Sequence, residues 1–180
     1  MPLAWPSHLV PASAYQRDNA VDADHTVSGI LQVPSRAKTC YVMAHGAGAG
    51  MTHPFVAAVA EGLYERQVAT LRYQFPYMER GSRRPDPLAL AQATVRAAVA
   101  EAVRLVPTLP IIAGGKSFGG RVTSQAQARA PMPSIQRLVF LSFPLHPAKR
   151  HSDQRALHLS EVQIPMLFCK GRGTRLPTRL

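Results

Sequence analysis

The chain has 180 residues and a formal net charge of +11, long enough for one domain that buries about 70% of its unfolded surface. It has no run of about 18 apolar residues and no basic segment followed by an apolar core at its start, so neither a membrane span nor a secretory leader is expected. Arginine outnumbers lysine 17 to 4 amid heavy alanine and proline use, a pattern of GC-rich coding, and no basic stripe is interleaved with aromatics, so no nucleic-acid partner is expected.

The first 25 residues carry too little periodicity to place, and 1–25 is set apart as an N-terminal extension. From there, β-branched or apolar runs closed by turn signals predict strands over 27–33 and 39–44, followed by a glycine-rich loop over 45–50. Phe55, Val56, Val59, Ala60 and Leu63 recur at helical spacing, which predicts an amphipathic helix over 53–66. A strand over 68–73 leads into a polar loop over 75–87, rich in proline and arginine. A long alanine-rich helix over 88–106 places Val95, Val99 and Val103 on one side. After it come an apolar strand at 109–113, a helix over 118–129, a strand over 138–143, a histidine-rich connection, a helix over 154–162 and a strand over 164–168. Strands alternating with helices predict an α/β fold, a mostly parallel sheet with helices on both faces.

The most informative segment is Gly114-Gly115-Lys116-Ser117-Phe118-Gly119-Gly120, which lies between an apolar strand and a helix. Strand, G-x-S-x-G turn and helix in that order form a nucleophile elbow, in which a strained serine points its hydroxyl out of the sheet edge. Gly115 and Gly119 are needed there because a Cβ would strike the neighbouring strand or helix. Gly115-Lys116-Ser117 also matches the tail of a phosphate-binding P-loop. The first glycine of that pattern would fall at Pro110, which has no N–H to cradle a phosphate. The run Gly46-Ala47-Gly48-Ala49-Gly50 has Met51 where a dinucleotide fingerprint needs glycine. Two cysteines, Cys40 and Cys169, suggest neither a disulfide framework nor a metal site. No cofactor is expected, and the expected compartment is the cytoplasm.

Together, HGAGAGMxHPF at 45–55, RYQFPYMERGSRRPDP at 72–87, GGKSFGGRVTSQ at 114–125 and LVFLSFPLHP at 138–147 resemble the α/β-hydrolase superfamily. More narrowly, they resemble small bacterial hydrolases akin to the dienelactone-hydrolase branch, a group similar to the hydrolase-like domain of testis-expressed and NSL-complex proteins. The resemblance covers 25–168 and implies a serine hydrolase of ester, lactone or similar acyl substrates, with a domain over 26–168. It implies Ser117 as nucleophile and the backbone N–H groups of Phe118 and Ala47 as the oxyanion hole. His45, Gly46, His146 and Arg80 are candidates for the substrate pocket, with turn-capping or solvated roles as their alternatives. Arg83 and Arg84 share the Arg80 loop.

The same resemblance calls for an acid after the strand at 164–168 and a histidine further on, in the order Ser, Asp/Glu, His. Residues 169–180 contain four basic residues and no acid. They are expected to be an aberrant tail from a frameshift, because codons exist that also spell Gln-Gly-Thr-Arg-Asp in another frame. Activity is then expected to be impaired, the fold to lack its last strand and helix, and an exposed strand edge to favour self-association. Asp153 and His158 follow Ser117 in the right order but form a poor substitute pair. The partner expected is a small acyl substrate, without nucleic acid or membrane. The alternative function is a non-catalytic scaffold or interaction module on the same fold.

Overall fold

A computed structural model describes residues 14–144, 154 and 156–169. The elements in chain order are β1 Ala14–Ala20, β2 Thr26–Gln32, β3 Thr39–Ala44, α1 Pro54–Tyr64, β4 Val68–Tyr73, α2 Pro76–Glu79 and α3 Leu88–Leu105. After these come β5 Ile111–Lys116, α4 Phe118–Arg129, β6 Ile135–Leu141, a 3-10 helix at Leu157–Glu161 and β7 Met166–Cys169. The seven strands form one sheet in the order β1-β2-β4-β3-β5-β6-β7. β4, β3, β5, β6 and β7 run parallel, while β2 is antiparallel to β4 and to β1.

β1 corrects the reading of 1–25 as an extension outside the domain: its seven residues pair along the whole of β2. Its sequence, AYQRDNA, has no apolar alternation, so pairing with β2 rather than hydrophobic pattern defines it as a strand. β6 begins three residues earlier than the apolar run suggested. Gln136 and Arg137 are exposed there: Arg137 pairs with Ile112, and Gln136 is the extra residue at a register shift between Ile135 and Arg137. The strand ends at Leu141, just before Ser142 turns to a φ of 55°. The helix expected over 154–162 is a short 3-10 turn, and the loop over 75–87 contains the four-residue helix α2.

The helices cover both faces of the sheet. Val56 and Ala60 of α1 pack on Tyr41 and Met43 on one face. On the other face, α3 and α4 bury the larger core against Val42, Leu71, Ala113 and Phe140. In α3 the buried stripe runs through Ala91, Val95, Ala98, Val99 and Ala102, while Val103 falls outside it and stays 37% exposed. Small side chains along that stripe let the helix approach the sheet closely. Among the described residues, no helix is long and apolar enough to cross a membrane.

Candidate active site

Strand β5 ends in glycines because the sheet leaves no space for side chains at that end. A Cβ on Gly114 would lie 1.9 Å from the Val139 carbonyl oxygen, and one on Gly115 would lie 2.1 Å from that of Ala44. Both residues also have positive φ, 151° and 146°. The chain then turns at Ser117, which has φ 48° and ψ −108°, outside the basins that L-residues prefer. Neighbours hold it in that state: the Ser117 N–H donates to Leu141 O at 3.0 Å, and Ser117 O accepts from Arg121 N at 3.1 Å. Ser117 occupies the N-cap position of α4, yet its side chain makes no capping bond. Ser117 lines an open cleft. Ser117 thus sits at a strained turn between β5 and α4.

Strain of this kind costs about 1–3 kcal/mol, and glycine tolerates the same φ and ψ. Ser117→Gly is expected to raise stability by about 1 kcal/mol net, after about 0.5–1 kcal/mol is lost to the greater freedom of the unfolded chain. Thermal melting measures this, and an unchanged or lower midpoint would contradict the strain.

Gly119 brings the two halves of the site together. Its Cβ would lie 2.5 Å from His45 O and 2.6 Å from the Ala44 side chain, so only glycine lets the start of α4 sit against the end of β3. That contact places the turn after Ser117 beside the loop after His45. Ser117, Phe118 and Ala47 all line one cleft of about 430 Å³. Neither the Phe118 nor the Ala47 N–H has a hydrogen-bond acceptor among the described residues. For Phe118 this follows from its place as the first residue of α4, where helical N–H groups are unmatched.

His45 is fully buried, and both ring nitrogens bind backbone. Nδ1–H donates to Gly46 O at 2.7 Å, and Nε2 accepts from Phe75 N at 3.2 Å. These bonds fix one neutral tautomer, and burial pushes the imidazole pKa down to about 4. His45 is thus not a substrate contact, correcting that expectation; it shapes the loop from beneath. Gly46 is also buried and sits over Lys116 rather than on the cleft wall. Because a trans peptide points its C=O and N–H in opposite directions, holding Gly46 O down turns the Ala47 N–H the other way. Gly48 and Gly50, with φ of 69° and 72°, complete the turn.

Arg80 is likewise not a pocket residue. Its Nη2 lies 2.6 Å from Asp86 Oδ1, and the buried Asp86 carboxylate also accepts from Tyr77 N at 2.9 Å. This ion pair ties the 76–86 loop to itself. Arg83 and Arg84 are exposed. The cleft is completed instead by Pro85, Leu88 and Pro144, with Asp86 and Arg121 as its charged lining. Arg121 carried one signal in the sequence: it stands four residues after Ser117, which on a helix means the same face.

Each histidine on the described residues is engaged away from Ser117. His25 pairs with Asp22, and His53 caps α1 by accepting from Phe55 N. His158 Nε2 lies 2.7 Å from Ser124 Oγ, whose hydroxyl donates to Arg121 O. Burial and the nearby Arg121 lower the His158 pKa. Ser124 is fully buried, so this serine–histidine pair fastens the 3-10 helix to α4 and does not face substrate. His158 therefore does not serve as base for Ser117; Asp153 and His146 lie outside the described residues. Lys116 lies over the Phe55 ring at 4.8 Å. No group of three or more metal-ligating side chains occurs among the described residues.

A family model described as an alpha/beta hydrolase domain matches residues 37–179. Among solved structures, the chain is similar to a dienelactone hydrolase from Anabaena variabilis, with 17% identity, TM-score 0.63, and coverage of 87% of this chain and 85% of that one. It is also similar to an α/β serine hydrolase without a lid from Xanthomonas campestris, at 20% identity and TM-score 0.65, covering 88% and 71%. A serine hydrolase homologue from Coxiella burnetii matches at 14% identity and TM-score 0.65, covering 87% and 72%. These likenesses concern the fold. No curated protein matches significantly.

Proposed function

The chain belongs to the α/β-hydrolase domain family, and from that premise we propose that it is a serine hydrolase opening an ester, lactone or similar acyl bond through Ser117. The observation that carries this reading is the convergence of the strained Ser117 with the unbonded N–H groups of Phe118 and Ala47 in one cleft. An acyl carbonyl seated there would be attacked by Ser117 Oγ while its oxygen, gaining charge, accepts from the two N–H groups. Each such donor typically lowers the barrier by about 3–4 kcal/mol. The tetrahedral state then expels the alcohol, which leaves with the proton given up by the Ser117 hydroxyl, and water opens the resulting acyl-serine ester to the acid and free Ser117.

Proton transfer is the weak step. Among the described residues no histidine reaches Ser117 to take its proton, and without such a base a serine hydroxyl is a poor nucleophile near neutral pH. We therefore propose that turnover by this chain is slow, carried by the oxyanion hole and by binding. The same observation favours a second reading, a scaffold or interaction module that keeps the elbow without turnover.

Hydrolysis of p-nitrophenyl acetate and of a small lactone distinguishes the two. The expected result is slow hydrolysis that falls to the spontaneous rate in Ser117→Ala while melting behaviour is retained. Equal rates with and without the Ser117 hydroxyl would favour the scaffold.

A further inference from the structure

We propose that Tyr77 is a positioning residue for the oxyanion hole, its phenol holding the Ala47–Gly48 peptide so that the Ala47 N–H stays aimed at the cleft. The inference rests on the Ser117 reading above. Ala47 is flanked by two peptide planes; its N–H lies in the first, Gly46–Ala47, and holding the second, Ala47–Gly48, restrains the Ala47 φ and ψ about which the first can turn. The first plane is pinned through Gly46 O, which accepts from His45 Nδ1 at 2.7 Å and from Ala49 N at 3.1 Å. The second is pinned through Gly48 N, which donates to Tyr77 Oη at 3.1 Å. Gly48 has no side chain to restrain it, and at φ 69° a Cβ would meet nothing within 4 Å. The phenol thus supplies a restraint that local packing does not.

Tyr77 is well placed for this because its own position is fixed. It is fully buried, its N–H donates to the buried Asp86, and its ring stacks with Phe75 at 6.3 Å. The same ring meets Phe118 edge-on at 6.4 Å. Phe118 supplies the other N–H of the hole, so one side chain touches both halves. This also explains why a segment far from Ser117 in sequence, 72–87, belongs to the site. Gln74 adds a parallel bond, its Oε1 accepting from Met51 N at 2.9 Å.

Tyr77→Phe tests the proposal because it keeps the ring and removes only the hydroxyl. With p-nitrophenyl acetate as probe, kcat is expected to fall about tenfold while KM changes less than about twofold. The rate of fluorophosphonate labelling is expected to fall in parallel. Amide exchange at Gly48 should speed up, with α4 protection and the melting midpoint nearly unchanged. A role confined to stability would lower the midpoint and leave kcat and labelling alone, and that result overturns the inference. Labelling at equal rates in the two folded chains also overturns it, while the Ser117 reading stands. Absence of labelling in the unsubstituted chain overturns the Ser117 reading itself, and exchange at Gly48 then reports separately whether the phenol holds the loop.

Discussion

Gly115→Ala is expected to leave the chain unfolded or insoluble. The new methyl group would sit 2.1 Å from the Ala44 carbonyl oxygen and 2.8 Å from the Ala44 nitrogen, all rigid backbone of the neighbouring strand. Gly115 and Ala44 are direct partners in the β3–β5 ladder, at the centre of the sheet. To admit a methyl group, β3 and β5 would have to part, and the hydrogen bonds between them would break. The residue would also be held at φ 146°, which alanine disfavours. Core overpacking of this severity, added to backbone strain, exceeds about 4 kcal/mol, a large share of the 5–15 kcal/mol that holds a typical domain together. Expression with soluble yield and circular dichroism decides it: a soluble, cooperatively melting Gly115→Ala chain would show that the strands are not packed as described.

Acid is expected to destabilise the fold well before its carboxylates protonate, because His45 is buried neutral. Its folded pKa is about 4, against 6.5 for an exposed imidazole. Between those values the unfolded chain binds a proton that the folded chain does not, so folding stability rises with pH across the window. The contribution is fully present above pH 6.5 and lost as pH falls toward 4. Over the whole window it amounts to roughly 3 kcal/mol. His158 shifts in the same direction and adds to the slope. Urea melts at pH 7 and 4.5 measure the loss. In His45→Gln the average slope between these pH values should drop by about 1 kcal/mol per pH unit, approaching the roughly 1.4 kcal/mol of a full proton only in the middle of the window. An identical slope in both chains would mean that His45 titrates normally and is not the buried pivot of the loop.

The sharp turn at Ser117 was legible in the sequence because it is set locally, whereas Phe118 and Ala47 entered only through the family resemblance; all three line one cleft. Glycines at 114, 115 and 119 admit a sharp strand-to-helix turn and little else, and the structure shows the backbone contacts that require them. The strands at 39–44 and 68–73 were equally plain, since they are buried along almost their whole length. The roles of His45 and Arg80 were not legible. A histidine before a glycine-rich loop has the same sequence whether its ring faces substrate or folds under the loop, and only the Phe75 N–H, thirty residues away, decides. Arg80 looked like a pocket residue because its partner Asp86 lies in the same loop at a spacing that no helix or strand rule connects. β1 was invisible for a related reason: a strand made by edge pairing needs no hydrophobic code of its own. Tyr77 carried no signal of its own in a polar, proline-rich loop, although its hydroxyl accepts from the Gly48 N–H.

The account stands on the claim that Ser117 is a nucleophile served by two backbone N–H groups. Peptide mapping by mass spectrometry after exposure to a fluorophosphonate tests this most directly. The account predicts a single slow adduct on the peptide that carries Ser117, absent from Ser117→Ala. An adduct that persists in Ser117→Ala, or no adduct on the intact chain, would contradict it.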